Sequence, residues 1–207
     1  NLDSSQGYYV QIDATAIDDT SGNSFAGIND TTTLNFTAAD VVAPILSSTS
    51  PTDNATGVAA GANIVLTFNE NVAAGSGNIT LKKSSDNSTV QTMAVGGANV
   101  SISGAVVTIN PTANLVSSQG YYVQVDATAI DDASGNSYAG ISDNTTLNFT
   151  AADSAGPALA SSSPADDATG VAVDANIVLT FDENVVVGSG NITLKKSSDD
   201  SSVQEMP

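Results

Sequence analysis

Hydrophobic residues in this chain recur at every second position. Ile64, Leu66 and Phe68 alternate with Asn63, Val65 and Thr67, and Tyr121, Val123, Val125 and Ala127 alternate with Tyr122, Gln124, Asp126 and Thr128. The same period runs through Ile79 and Leu81, through Val100–Ile102 and Val107–Ile109, and through Leu147 and Phe149. A period of two sends successive side chains to opposite faces of a strand, so each run presents one apolar face and one polar face. Gly, Asn, Asp and Ser punctuate the runs at the spacing of turns, and no segment carries the 3.6-residue period of an amphipathic helix. The pattern predicts an all-β sandwich. Its strands are expected near Ile45–Ser48 (A), Ala62–Phe68 (B), Asn78–Lys83 (C), Thr89–Val95, within Val100–Ile109 (D and E), Tyr121–Ala127 (F) and Thr145–Thr150 (G).

The pattern also repeats on a larger scale. GYYVQIDATAIDD starts at Gly7 and GYYVQVDATAIDD at Gly120, while NIVLTF starts at both Asn63 and Asn176, an offset of 113 residues in each case. Residues 1–94 laid over 114–207 without a gap match at 71 of 94 positions. So long a period fits one small domain per repeat rather than a solenoid unit. The boundary falls after TLNFTAAD, which predicts a complete repeat at 41–153, preceded at 1–40 by the C-terminal part of one copy and followed at 154–207 by the N-terminal part of another. On this expectation the chain is a piece of a longer array.

Leu115 followed six positions later by Tyr121 and then by Val123 and Val125 has the form of a tyrosine corner entering strand F of an Ig-like sandwich. The fold class expected is therefore an Ig-like β-sandwich in tandem repeats of 113 residues. Further motifs are P-x-L-x-S-x-S-P-x-D-x-A-T-G-V, N-I-V-L-T-F-D/N-E-N-V, G-S-G-N-I-T-L and D-D-x-S-G-N-S. Together they resemble the bacterial Ig-like repeats of long surface and secreted proteins, including S-layer-type proteins, cyanobacterial long proteins and large adhesins. That resemblance covers the whole chain. It implies an extracellular or cell-surface location and a structural or adhesive role, and it implies no enzyme.

Composition narrows the chemistry. The chain has no Cys, no His and no Trp, which removes thiol nucleophiles, His-based triads and ordinary zinc, haem or iron–sulfur sites. Its 22 acidic residues against 4 lysines and arginines give a net charge of −18, and the four lysines form only two Lys-Lys pairs. No nucleic-acid surface can be assembled from them. No run of 18 or more apolar residues is present to insert in a membrane. The charge divides as −6 for each of the three segments, so it is a property of the repeat.

Acidic side chains on loops are then the one source of chemistry. Calcium takes six to eight oxygens from carboxylates, amides and carbonyls. In an Ig-like sandwich the B–C and F–G loops lie beside the start of strand A, where the preceding repeat arrives. That end is expected to gather Asp40 from the linker, Asn69 and Glu70 from B–C, and Asp131, Asp132 and Asn136 from F–G. The next junction would gather Asp153 with Asp182 and Glu183. The arrangement looks like the interdomain calcium clamp of cadherin-like and large-adhesin arrays. The competing reading is turn chemistry alone, because Asp-Asp-x-Ser-Gly-Asn also suits a turn in which Asp and Asn cap backbone groups.

The functional expectation is an extender module of a long extracellular bacterial protein, stiffened by calcium at its junctions, whose partners are neighbouring repeats or other copies of itself. The first alternative is a self-assembling filament subunit completed by strand sharing between chains. The second is a carbohydrate-binding module for surface glycans. Tyr8, Tyr9, Tyr121, Tyr122 and Tyr138 are its candidate stacking rings, with Tyr121 and Tyr8 assigned to the core and Tyr122 and Tyr9 to the exposed face.

Overall fold

The period-two runs become strands whose core-facing apolar positions are buried. In the computed structural model, which describes all 207 residues, Ile64, Leu66 and Phe68 are buried while Val65 and Thr67 are half-buried. Two units result, Asn1–Ser154 and Ala155–Pro207.

The first unit begins with a two-stranded antiparallel ribbon, β1 (Gly7–Tyr9) against β2 (Asn35–Thr37). The complete repeat follows with β3 (Leu46–Ser50), β4 (Ala55–Val58), β5 (Ile64–Phe68), β6 (Val72–Ala74), β7 (Asn78–Lys83) and β8 (Thr89–Ala94). It continues with β9 (Val100–Ser103), β10 (Val106–Ile109), β11 (Gly120–Val125), β12 (Ile130–Asp132) and β13 (Asn148–Ala151). One sheet has the order β3-β5-β10-β9 and the other β4-β13-β11-β7-β8, while β6 and β12 form a separate ribbon. In Ig-like terms the sheets are A-B-E-D and A′-G-F-C-C′. The apolar faces of both supply the core, with Leu66, Val107 and Ile109 from one sheet and Ile79, Leu81, Val123 and Phe149 from the other.

Two elements were not among the expected strands. β4 carries Gly57 at φ +71° and joins its sheet through a parallel pairing with β13. The β6–β12 ribbon is three residues on each side and extends the B–C and F–G connections toward the end where the site lies.

The tyrosine corner is present. The Tyr121 hydroxyl accepts a hydrogen bond from the Val116 backbone N–H at 2.8 Å, and the Tyr121 ring stacks on Phe149 with centroids 5.9 Å apart. The leading copy repeats it: the Tyr8 hydroxyl accepts from the Asp3 N–H at 2.7 Å, and Tyr8 stacks on Phe36. Tyr121→Phe keeps the ring and leaves the Val116 N–H without its acceptor. Equilibrium denaturation should register a loss of about 1–2 kcal/mol.

The second unit holds β14 (Leu159–Ser163) paired with β15 (Val178–Phe181), and β16 (Ile192–Lys195) paired with β17 (Ser202–Met206). These pairings reproduce β3–β5 and β7–β8 with the register irregularity at the equivalent residue in each.

Candidate functional site

The site forms where the chain leaves the leading copy and enters the complete repeat. Asp40 lies six residues before β3, Glu70 lies in the connection from β5 to β6, and Asp132 ends β12. One carboxylate oxygen from each lies within 4.8 Å of the others. An ion holding oxygens at 2.3–2.6 Å can bridge pairs up to about 5 Å apart, so the spacing suits a shared divalent cation with oxygen ligands.

Each acid is positioned differently. Asp132 is 4% exposed, and its Oδ1 accepts from the backbone N–H groups of Ser134 and Asn136, both at 2.8 Å. Its Oδ2 accepts from Asn136 Nδ2 at 2.7 Å. These bonds close a tight turn in which Gly135 takes φ +86°, a conformation costly for residues with a Cβ. Asn136, through its amide and then its backbone, holds the Asp132 carboxyl below its ordinary value despite burial. Asp40 accepts from the Val42 N–H at 3.1 Å and the Ser4 hydroxyl at 2.9 Å, and these also lower its carboxyl. Glu70 moves the other way: burial raises its carboxyl, and the negative charges of Asp132 and Asp40 add to the rise.

Of the other expected ligands, Asn136 bridges the site, donating through Nδ2 to the Asp40 carbonyl at 3.3 Å as well as to Asp132. Asp131 is not in the cluster. Strand alternation turns it to the face opposite Asp132, where its Oδ1 accepts from the Ser137 hydroxyl at 2.5 Å. Asn69 is engaged in fixing strand A, its Oδ1 accepting from the Ile45 N–H at 2.7 Å. Asp182, its counterpart in the second unit, accepts from the Ala158 N–H at 2.8 Å. Asp153 takes the Ser117 hydroxyl at 2.8 Å, as Asp40 takes that of Ser4, and Glu183 is exposed.

The turn chemistry is therefore built, at Asp132 and again at Asp19, which accepts from Ser21, from the Asn23 backbone and from the Asn23 side chain. Only in the complete repeat does such a turn stand beside two further acids.

One expectation about the aromatic residues is overturned. Tyr122 is 3% exposed rather than solvent-facing. It sits mid-sheet, opposite Lys82 on β7 and Asn148 on β13, and these neighbours cover the ring. Lys82 Nζ lies 5.8 Å from the ring centroid, and the hydroxyl donates to Asn87 Oδ1 at 3.1 Å. Tyr138 is also buried, edge-on to Phe68 at 5.1 Å. Neither offers a face to a sugar.

The family model of the bacterial Ig-like domain matches residues 40–151 and 153–206. The chain belongs to the bacterial Ig-like domain family. Among solved structures, this bacterial Ig-like chain is similar to CopC from Methylosinus trichosporium OB3b, with 18% identity and a TM-score of 0.38, over 55% of this chain and 97% of that one. It is also similar to the S-layer protein rSbsC(31-844), with 15% identity and a TM-score of 0.35, over 78% of this chain and 22% of that one. The comparison with curated proteins finds no match.

Proposed function

We propose that this chain is a structural extender from a long extracellular bacterial protein, and that a divalent cation, calcium above all, stiffens the passage from one Ig-like repeat to the next. The observation that carries this reading is the convergence of Asp40, Glu70 and Asp132 at the entry to strand A. Three carboxylates that close repel one another unless a cation or protons are shared among them. Asp40 ends the leading copy while Glu70 and Asp132 belong to the next, so an ion held by all three would tie the two copies together. Membership of the bacterial Ig-like family and tandem copies that match at 71 of 94 positions support a scaffolding role over a catalytic one.

The test is a chain of three complete repeats, measured with calcium and with chelator. Calcium should raise the melting temperature and lengthen the mean end-to-end distance seen by small-angle scattering. If both stay the same, the clamp is wrong and the repeats are joined by linkers alone.

A further inference from the structure

One flank of the complete repeat is built from uncharged residues. In a chain of net charge −18, residues 87–125 contain no Asp, Glu, Lys or Arg, the longest such run in the sequence. That run supplies β8 and β9, each the terminal strand of its sheet. Every strand of the complete repeat is present, so β8 is an edge by the topology of the sandwich itself. Its open side carries a row of backbone groups. The Val95 N–H donates to the Gly77 carbonyl at 3.1 Å, and by antiparallel alternation Met93 and Gln91 also bond toward β7. Thr92 and Ala94, both exposed, then direct their N–H and C=O groups outward.

Proteins ordinarily blunt such an edge with a charge or a proline. The following copy carries both, because Glu205 and Pro207 stand where Thr92 and Ala94 do. β8 has neither.

We infer that β8 is a pairing edge whose occupant is β8 of a second copy of this chain, running antiparallel about a twofold axis at Thr92. Charge selects the occupant. Two chains of −18 repel wherever acidic surfaces meet, and β8 brings no acid to either side of the contact. The only cations of the complete repeat, Lys82 and Lys83, lie on the adjoining β7. Backbone geometry sets the register. Outward-directed groups must meet their like, which places Thr92 opposite Thr92, Val90 opposite Ala94 and Gln91 opposite Met93. The Thr92 pair then exchanges two main-chain bonds with its side chains adjacent, and the five-stranded sheets of the two copies become continuous. Asp40, Glu70 and Asp132 take no part, so this contact does not depend on the junction cation.

The experiment uses the full 207-residue chain with chelator present. Sedimentation should show concentration-dependent dimers that tighten as salt screens the net charge. Because the chain has no cysteine, Thr92→Cys supplies a single thiol. Oxidation should link two copies through it, since the Cα spacing of about 5.5 Å in such a pair lies within disulfide reach. Ser101→Cys, at an exposed position on β9, should link far less. Thr92→Glu introduces the residue the following copy carries and should weaken association by at least about tenfold. Thr92→Lys should weaken it as well, although it lowers the net charge. A chain that stays monomeric at every concentration and salt, or equal linkage at Ser101, would overturn the proposal. So would association unchanged by Thr92→Glu or strengthened by Thr92→Lys.

Discussion

Leu66→Ala should lower the unfolding free energy of the complete repeat by about 3–4 kcal/mol, whereas Leu179→Ala, the same change 113 residues later, should cost only about 1 kcal/mol. Leu66 is fully buried at the centre of β5, with β3 and β10 on its two sides, and faces Val107 across the ladder. Truncation removes the transfer free energy of the lost methyl groups and leaves a cavity that flanking strands cannot close. Leu179 is 39% exposed on β15, whose only partner is β14. Its truncation removes a partly buried side chain and leaves no enclosed cavity. Denaturant unfolding of each variant, with hydrogen exchange to assign the loss to one unit, checks the pair. Equal losses would mean that burial does not govern the cost at this position.

That contrast bears on what a sequence of this kind makes legible. Leu66 and Leu179 sit in identical NIVLTF segments, and periodicity places both on a core-facing side. Whether the core is there depends on the strands opposite, which are tertiary facts. The regular strands could be read because alternation is imposed by burial itself: Ile79 and Leu81, Val107 and Ile109, Tyr121, Val123 and Val125 are all buried. β4 escaped because Ala-Thr-Gly-Val has little apolar contrast, and its strand geometry comes from pairing with β13. Tyr122 was misplaced for a related reason. Alternation says which face a residue takes, and cross-strand neighbours decide whether that face is covered.

The candidate site was legible in the same graded way. Loop positions in an Ig-like sandwich suffice to bring Asp40, Glu70 and Asp132 to one end. The sequence does not distinguish Asp131 from Asp132, since either could face inward until the phase of β12 is known. Nor does it reveal that Asn69 is tied to Ile45, a bond that exists only once strand A lies alongside strand B.

Glu70→Gln is the substitution that separates a cation site from a capped turn. In the metal-free protein, burial and the charges of Asp132 and Asp40 raise the Glu70 carboxyl above its ordinary value of 4.5. The folded state then binds this proton more tightly than the unfolded chain does. Glu70 therefore favours folding most below the ordinary value, and that contribution is lost as pH rises through the raised one. Asp132 and Asp40 act in the opposite sense, because hydrogen bonds lower both from the ordinary 3.8. Their contribution is present above that value and is lost as pH falls below it. The two windows do not overlap, so Glu70→Gln should remove the decline above pH 4.5 and leave the acid-side loss in place. Without metal, the variant should therefore be the more stable protein at neutral pH. With calcium the order reverses: an ion bound only by the folded state stabilises by about 2.7 kcal/mol at roughly a hundredfold excess over Kd, and the variant should lose most of that gain. Melting curves of both proteins at several pH values, with calcium and with chelator, give all four comparisons. A variant that keeps the full calcium response would assign the ion to other oxygens, and would leave Asp132 as the anchor of a turn and nothing more.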